Sequence, residues 1–255
     1  MQLAAVVHGP ATARPPLVIA HGLFGSARNW GAVAKRLALH RRVIVVDMRN
    51  HGDSPRSPDH GYGALAGDLA ATIAAHGGTA DLLGHSMGGK AAMVLALTEP
   101  ACVRRLIVAD MAPVAYGHSQ IGYVRAMQAV DLATVARRAD AEAALATEVP
   151  EPGLRAFLLQ NLAFDGPRPA WKLNLPVLGE QMPRIMGFPD LRARFEGPTL
   201  FLTGARSDYV RPAAWPQIRA LFPAARHVEL ADAGHWLHAE APRPFTEAVE
   251  TFLET

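Results

Sequence analysis

Cysteine, excess charge and long apolar runs are all scarce in this sequence. Cys102 is the single cysteine in 255 residues, which excludes an intrachain disulfide. Lys and Arg total 25 against 23 Asp and Glu, and no basic run marks a surface for nucleic acid. No stretch approaches the ~18 unbroken apolar residues of a membrane span. Because the opening residues "MQLAAVVHGP" also lack the pattern of a signal peptide, we expect a cytoplasmic protein with no nucleic-acid or membrane partner.

Apolar residues are plentiful, at 50% against 19% charged, and this balance is typical of a globular protein. Short apolar runs alternate with segments of helical periodicity along most of the chain. The runs lie at 17–22, 43–48, 80–84, 103–110, 198–204 and 227–230. Because these runs lack polar alternation, we expect strands that are buried on both faces. The sequence therefore predicts an α/β fold with a mostly parallel central sheet and helices on both faces.

The alternation stops between residues 113 and 197, where helical patterns dominate. This insertion follows the apolar run that ends at Asp110. Open α/β sheets bind ligands at the carboxyl edge of their strands, so an insertion placed there predicts a helical cap over the site. We therefore expect one catalytic domain, with residues 1–112 and 198–255 as its core and residues 113–197 as its cap.

The stretch "LLGHSMGGKAAM", residues 82–93, fits two different motifs. It contains G-x-S-x-G around Ser86, the strand-to-helix turn that exposes a nucleophilic serine. It also fits most of G-x-x-x-x-G-K-[ST], the loop that binds nucleotide phosphates, with Lys90 as its lysine. Ala91 stands where that loop needs a hydroxyl for Mg²⁺. A P-loop NTPase is therefore the remote alternative, and a serine nucleophile is favoured.

A serine nucleophile needs a base, an acid that orients the base, and two N–H donors for the oxyanion. The segment "HGLFGS" follows the first strong strand, and the N–H of its Leu23 is our first candidate donor. The second is the N–H of Met87, directly after Ser86. Among 11 histidines, His235 in "ADAGHW" directly follows the last predicted strand, where the base is expected. His238 competes for the same role, three residues further on.

Several segments together resemble the α/β-hydrolase superfamily and, within it, the YbfF-type esterases. They are "HGLFGSARNW", "VDMRNHGDSPRS", "GHSMGGKAAM", "ADMAPVAY" and "AGHWLHAEAP". The resemblance spans essentially the whole chain, including "LRAFLLQNL" and "LPVLGEQ" in the expected cap. It implies an α/β-hydrolase fold and an esterase or thioesterase for small to medium acyl chains, without metal or cofactor.

Two aspartates compete to be the acid that orients His235. In this superfamily the acid commonly stands in a G-x-x-D-x-x-V pattern, but "GARSDYV" places Ser207 at that position and Asp208 one residue later. The resemblance offers Asp110 of "DMAP" instead, because related esterases with a serine in the pattern use this aspartate. We favour Asp110 on geometry, since the shifted Asp208 side chain is expected to point elsewhere, and we keep Asp208 as the alternative.

An apolar pocket for the acyl chain is expected beside Ser86. Its candidate lining residues are Phe24, Ala112, Trp171, Met182 and Met186, because flexible methionines suit variable apolar ligands. Methionines at such positions also occur as ordinary core residues, which is the alternative interpretation of Met182 and Met186. The histidines and acidic residues show no recognisable metal-ligand spacing, so no metal site is predicted.

The expected chemistry is hydrolysis of a carboxylic ester or thioester through an acyl-enzyme on Ser86. Two alternatives on the same fold stay open, because a fold alone does not determine function. One is a carbon–carbon bond hydrolase or lyase with the same three side chains, and the other is a ligand receptor with low turnover. We expect a small-molecule acyl ester or thioester as the partner, and a monomer or small homo-oligomer.

Overall fold

The computed structural model describes residues 1–254, and its centre is a seven-stranded sheet. In chain order the strands are β1 (Ala5–His8), β2 (Leu17–Ala20), β3 (Val43–Val46), β4 (Ala80–His85), β5 (Val103–Ala109), β6 (Leu162–Ala163), β7 (Ala170–Trp171), β8 (Thr199–Gly204) and β9 (Ala225–Leu230). The central sheet has the order β1-β3-β2-β4-β5-β8-β9. Only the β1–β3 pair is antiparallel within this described sheet, which confirms the predicted mostly parallel arrangement.

Helices cover both faces of the sheet. They are α1 (Gly31–Leu37), α2 (Tyr62–Ala75), α3 (Met87–Thr98), α4 (Ile121–Ala129), α5 (Arg138–Leu145), α6 (Pro152–Leu159), α7 (Leu175–Glu180), α8 (Met182–Met186), α9 (Trp215–Leu221), α10 (Leu237–Glu240) and α11 (Pro242–Glu254). Alternate residues of β2 belong to two hydrophobic cores, one on each face of the sheet. Leu17 and Ile19 are in the core that includes α1 and α11, and Val18 and Ala20 are in the core that includes α2 and α3. The continuous apolar strands therefore bury both faces, as predicted. No helix within residues 1–254 is long and apolar enough to span a membrane.

The insertion, residues 113–197, lies between β5 and β8 and contains α4 to α8. Its helices agree with the helical patterns of this part of the sequence. It also holds the antiparallel pair β6–β7, in which Leu162 faces Trp171. Strands of two residues have no periodicity, so the pattern that predicts the helices is silent on this pair.

The turns at the carboxyl ends of four strands hold strained backbone. Phe24 follows β2, Asn50 follows β3, Ser86 follows β4 and Asp110 follows β5, and their φ angles are 63°, 65°, 53° and 50°. Positive φ is uncommon for residues other than glycine and marks sites where the surrounding fold imposes the conformation. Because β2, β3, β4 and β5 are parallel, all four turns meet at one edge of the sheet.

Candidate active site

Ser86 lies on a sharp turn between β4 and α3, with φ 53° and ψ −119°. The turn brings β4 and the start of α3 so close that a Cβ on Gly84 would be 2.3 Å from the Gly88 carbonyl oxygen. A Cβ on Gly88 would be 2.4 Å from the carbonyl oxygen of Ala20 on β2. Both distances are too short for any side chain, so the spacing G-x-S-x-G is a steric requirement of this turn.

The structure brings Ser86, His235 and Asp110 together in a hydrogen-bonded row. Ser86 Oγ is 3.1 Å from His235 Nε2, and His235 Nδ1 is 2.7 Å from Asp110 Oδ2. A carboxylate accepts only, so Nδ1–H donates to Asp110 and leaves Nε2 free to accept the Ser86 hydroxyl proton. The Asp110 side chain is 1% exposed and that of His235 is 20% exposed. This arrangement can activate a serine for attack on a carbonyl carbon.

Asp110 also accepts hydrogen bonds from the loop after β8. Gly204 N–H donates to Asp110 Oδ1 at 3.3 Å, and the Ser207 hydroxyl donates to Oδ2. Asp208, the alternative acid, points to solvent with its side chain 92% exposed, and its carboxylate is 3.9 Å from Arg211 Nη2. The structure therefore brings Asp110 to His235 and leaves Asp208 at the surface. The hydroxyl of Ser207 supports the carboxylate, a contact that the sequence pattern alone does not indicate.

The two candidate oxyanion donors line the same cavity as Ser86. Within the described residues, neither the Leu23 nor the Met87 backbone N–H has a hydrogen-bond partner. Met87 is the first residue of α3, where backbone N–H groups have no acceptor inside the helix. Neighbouring Phe24 N–H donates to His51 Nε2 at 3.2 Å, which holds the Leu23 turn in place. Both N–H groups are therefore available to a ligand oxygen.

Buried neutral histidines support the loops around the site. His21 Nδ1–H donates to Gly22 O at 2.8 Å, and His21 Nε2 accepts from Met48 N–H at 2.9 Å. Burial lowers the pKa of His21 to about 4, so its ring is neutral near pH 7. His85 Nε2–H donates to the backbone oxygen of His235 at 2.8 Å, which anchors the backbone of the candidate base.

Two aromatic contacts distinguish His235, the candidate base, from the competing His238. Tyr209 stacks on His235 with ring centroids 3.8 Å apart and an angle of 14° between the planes. His238, the competing histidine, stacks instead on Trp30 at 4.1 Å, and burial lowers its pKa to about 4. Sequence reasoning missed the Tyr209 contact, because the loop after β8 carries no motif that indicates stacking.

A cavity of about 250 Å³ opens beside Ser86. Residues of the sheet edge and of the insertion form its largely apolar walls, among them Leu23, Phe24, Tyr62, Met87, Tyr123, Leu154, Phe157, Ile185 and Met186. Of the predicted lining residues, Phe24 and Met186 are in these walls. Ala112, Trp171 and Met182 are not: all three are buried elsewhere, Trp171 on β7 and Met182 at the start of α8.

The described residues contain no group of three or more His, Cys, Asp or Glu side chains arranged to hold a metal ion.

Comparisons with known proteins agree on one family. A model described as "Alpha/beta hydrolase family" matches residues 17–248. The chain is 44% identical to the mouse sn-1-specific diacylglycerol lipase ABHD11, over 97% of this chain and 83% of that protein. It is 40% identical to Esterase YbfF of Escherichia coli K12, over 93% of this chain and 92% of that protein. A solved structure named "Marine microorganism esterase" superposes with a TM-score of 0.93 and 35% identity, covering 98% of this chain and 99% of that one.

Proposed function

Because this chain belongs to the alpha/beta hydrolase family, we propose that it is a serine hydrolase of small to medium acyl carboxylic esters, with Ser86 as its nucleophile. The observation that carries the proposal is the hydrogen-bonded row from Ser86 Oγ through His235 to Asp110. Relatives named esterase and lipase support the reaction class, a carboxylic ester hydrolase. Thioesters share the same reacting carbonyl and belong to the same proposal.

The reaction begins at the Ser86 hydroxyl. His235 Nε2 takes the hydroxyl proton while Oγ attacks the ester carbonyl carbon, and the negative oxygen that forms accepts hydrogen bonds from the Leu23 and Met87 N–H groups. His235 then gives its proton to the departing alcohol, which leaves an acyl group on Oγ. Water repeats the same steps on the acyl-enzyme and releases the acid.

Asp110 balances the charge of His235 during both steps. Its carboxylate accepts from Nδ1–H at 2.7 Å, which selects the tautomer with a free Nε2. When His235 carries the proton of Ser86, the buried carboxylate stabilises the resulting cation. Tyr209 covers one face of the imidazole ring and keeps it in this orientation.

The cavity walls define the ligand class. They are mostly apolar, and the insertion contributes Tyr123, Leu154 and Phe157. We infer that residues 113–197 act as a cap and that residues 1–112 and 198–255 form the core of one catalytic domain. A cavity of about 250 Å³ is just below the usual range for small-molecule sites, which suits a short or medium acyl chain. The partner is therefore a small-molecule ester.

The test is a panel of p-nitrophenyl esters from acetate to decanoate, with acyl-CoA thioesters and dioctanoylglycerol, assayed with wild type and Ser86→Ala. We expect a burst of p-nitrophenol equal to the enzyme concentration, with turnover highest on the short and medium esters. Ser86→Ala should lose the burst and at least about 10⁴-fold of kcat. Equal turnover in Ser86→Ala would overturn the proposal, and so would binding of esters without hydrolysis.

A further inference from the structure

Lys90 is a buried lysine that is not part of the hydrogen-bonded row of Ser86, His235 and Asp110. It lies on α3, one turn after Ser86, and is 1% exposed. Within residues 1–254 its ammonium forms no ion pair with a carboxylate. Instead Nζ donates to three successive carbonyl oxygens of the insertion, at 3.4 Å to Ile185, 2.9 Å to Met186 and 2.5 Å to Gly187. These contacts use all three N–H donors of an ammonium group.

Aromatic rings complete the surroundings of the ammonium. Nζ lies 4.6 Å from the ring centroid of Tyr116 and 5.7 Å from that of Tyr62, both within range of a cation–π contact. The three carbonyls stand at the end of α8, where carbonyl groups have no N–H partner within the helix and carry partial negative charge. Dipoles and ring faces thus replace the carboxylate that a buried lysine usually has. Burial lowers the pKa of Lys90 to about 7, because desolvation penalises the charged form.

Two of the three residues whose carbonyls Lys90 binds belong to the wall of the cavity. Ile185 and Met186 line it, as does Lys90 itself. Two other groups hold the same segment: Tyr62 Oη of the core donates to Ile185 O at 2.6 Å, and Tyr116 N–H of the insertion itself donates to Met186 O at 3.0 Å. Lys90 makes more of these contacts than either tyrosine, and it joins the helix that begins at the nucleophile directly to the insertion.

We propose that Lys90 is a positioning residue that fastens residues 185–187 to α3 and thereby sets how long an acyl chain the cavity accepts. The Lys90 donors are all occupied by backbone oxygens, so none of them is free to bind a substrate carboxylate or the oxyanion. Its effect on the reaction is transmitted through the wall that it holds. The part of this inference that concerns chain length rests on the proposed esterase function, and the part that concerns the segment does not.

The experiment compares Lys90→Met, which keeps the length and loses the donors, with wild type. Hydrogen exchange measured by mass spectrometry should show the amides of residues 184–188 exchanging at least about tenfold faster, because their segment has lost an anchor. On p-nitrophenyl esters, KM for the butyrate should rise more than KM for the decanoate. The ratio of kcat/KM for decanoate to that for butyrate should increase about tenfold, since a displaced wall costs the tightly fitted ester more.

Lys172→Met is the matched control. Lys172 Nζ also joins the insertion to the core, through Asp53 at 2.7 Å, but the pair is at the surface and outside the cavity walls. We expect it to leave the chain-length ratio and the exchange of residues 184–188 unchanged. If Lys90→Met does not fold, Tyr62→Phe decides, because it removes one hydrogen bond to Ile185 and should move both readouts in the same direction by about threefold.

The two proposals fail in different ways. If wild type hydrolyses no ester, the proposed function is wrong, and the exchange of residues 184–188 still tests the anchor. If a folded Lys90→Met variant keeps the wild-type exchange and the wild-type chain-length ratio, the inference about Lys90 is overturned while the esterase proposal stands. Faster exchange without a change in the ratio would overturn the role in chain-length selection.

Discussion

The Asp110 carboxylate is buried and receives three hydrogen bonds, from His235, Ser207 and Gly204. Asp110→Asn keeps the shape of the side chain but removes the charge that balances a protonated His235. It also replaces one of the two accepting oxygens of the carboxylate with an NH₂ group, which cannot accept the hydrogen bonds made there. We predict that kcat on p-nitrophenyl butyrate falls by about 10⁴-fold, measured by steady-state hydrolysis.

Asp208→Asn is the control for that substitution. It makes the same chemical change on an exposed side chain, two residues before Val210 in the same loop as Ser207. We expect kcat to stay within about twofold of wild type, as for surface substitutions in general. A larger loss in Asp208→Asn than in Asp110→Asn would reverse our assignment of the acid. Urea unfolding of both variants establishes that they are folded.

Ser207 and Tyr209 show what a residue pattern leaves out. Ser207 stands where the superfamily commonly has its acid, and its hydroxyl contacts Asp110 across 97 positions of sequence. Tyr209 reaches His235 by stacking. The Ser207 contact depends on how the loop after β8 folds against the end of β5, and the Tyr209 contact depends on how the same loop folds against the loop after β9. A single sequence carries the residue types but not the relative position of two loops, so these partners could not be predicted from it.

At the scale of elements, the turn between β4 and α3 depends on Gly88. Its missing Cβ allows β2 to approach, and a methyl group there would lie 2.4 Å from Ala20 O and 2.5 Å from His21 O. Gly88→Ala must therefore move the donor loop or the turn. We predict that it lowers the free energy of unfolding by about 1–3 kcal/mol, measured by urea denaturation, and lowers kcat by at least about 100-fold.

Gly67→Ala is the matched control for Gly88→Ala. Gly67 is exposed on α2, and a Cβ added there meets nothing within 4 Å. Alanine in a helix is favoured over glycine by about 0.5–1 kcal/mol, so this variant should be slightly more stable and fully active. If Gly88→Ala behaved like Gly67→Ala, the close approach of β2 would have no role in shaping the site.

The elements that the sequence predicts best are those whose burial is uniform. The apolar run at 43–48 contains β3 (Val43–Val46), and the run at 80–84 nearly matches β4 (Ala80–His85), because both strands are buried on both faces. β1 (Ala5–His8) lies at the exposed edge of the sheet, and its short apolar stretch is not among the predicted strands. The sequence predicts a strand at 227–230, but β9 begins earlier, at Ala225. Most of its residues are exposed, so an apolar run does not mark where the strand starts.

At the scale of the whole molecule, the site is made by loops that meet at one sheet edge. Parallel strands send their carboxyl ends to the same edge, which is why Ser86, Asp110 and His235 could be grouped from their places after predicted strands. The walls of the cavity could not be predicted in the same way. Trp171 and Met182 are in the insertion, and which of its side chains face the cavity depends on how it packs on the core.

A chain of buried histidines links the loops after β2 and β3 to the start of α2. The rings of His21 and His51 are 5.2 Å apart, and those of His51 and His60 are 5.7 Å apart. Burial lowers their pKa values to about 4, 3 and 3 respectively, and the neighbouring rings add to this effect. In the unfolded chain such histidines titrate near 6.5. Between about pH 6.5 and 3 the unfolded state therefore binds more protons than the folded state.

We predict that stability falls as pH falls through this window, because protons bind preferentially to the unfolded chain. Each buried histidine contributes up to about 1.4 kcal/mol per pH unit to the slope of unfolding free energy against pH. Urea unfolding of wild type and His60→Gln between pH 7 and 4.5 measures this slope, and the variant should be shallower by about 1 kcal/mol per pH unit. His40→Gln, which changes an exposed histidine, should keep the wild-type slope. Identical slopes in wild type and His60→Gln would mean that His60 takes up protons equally in the folded and the unfolded state, contrary to its buried contacts with Asn50 and Met87.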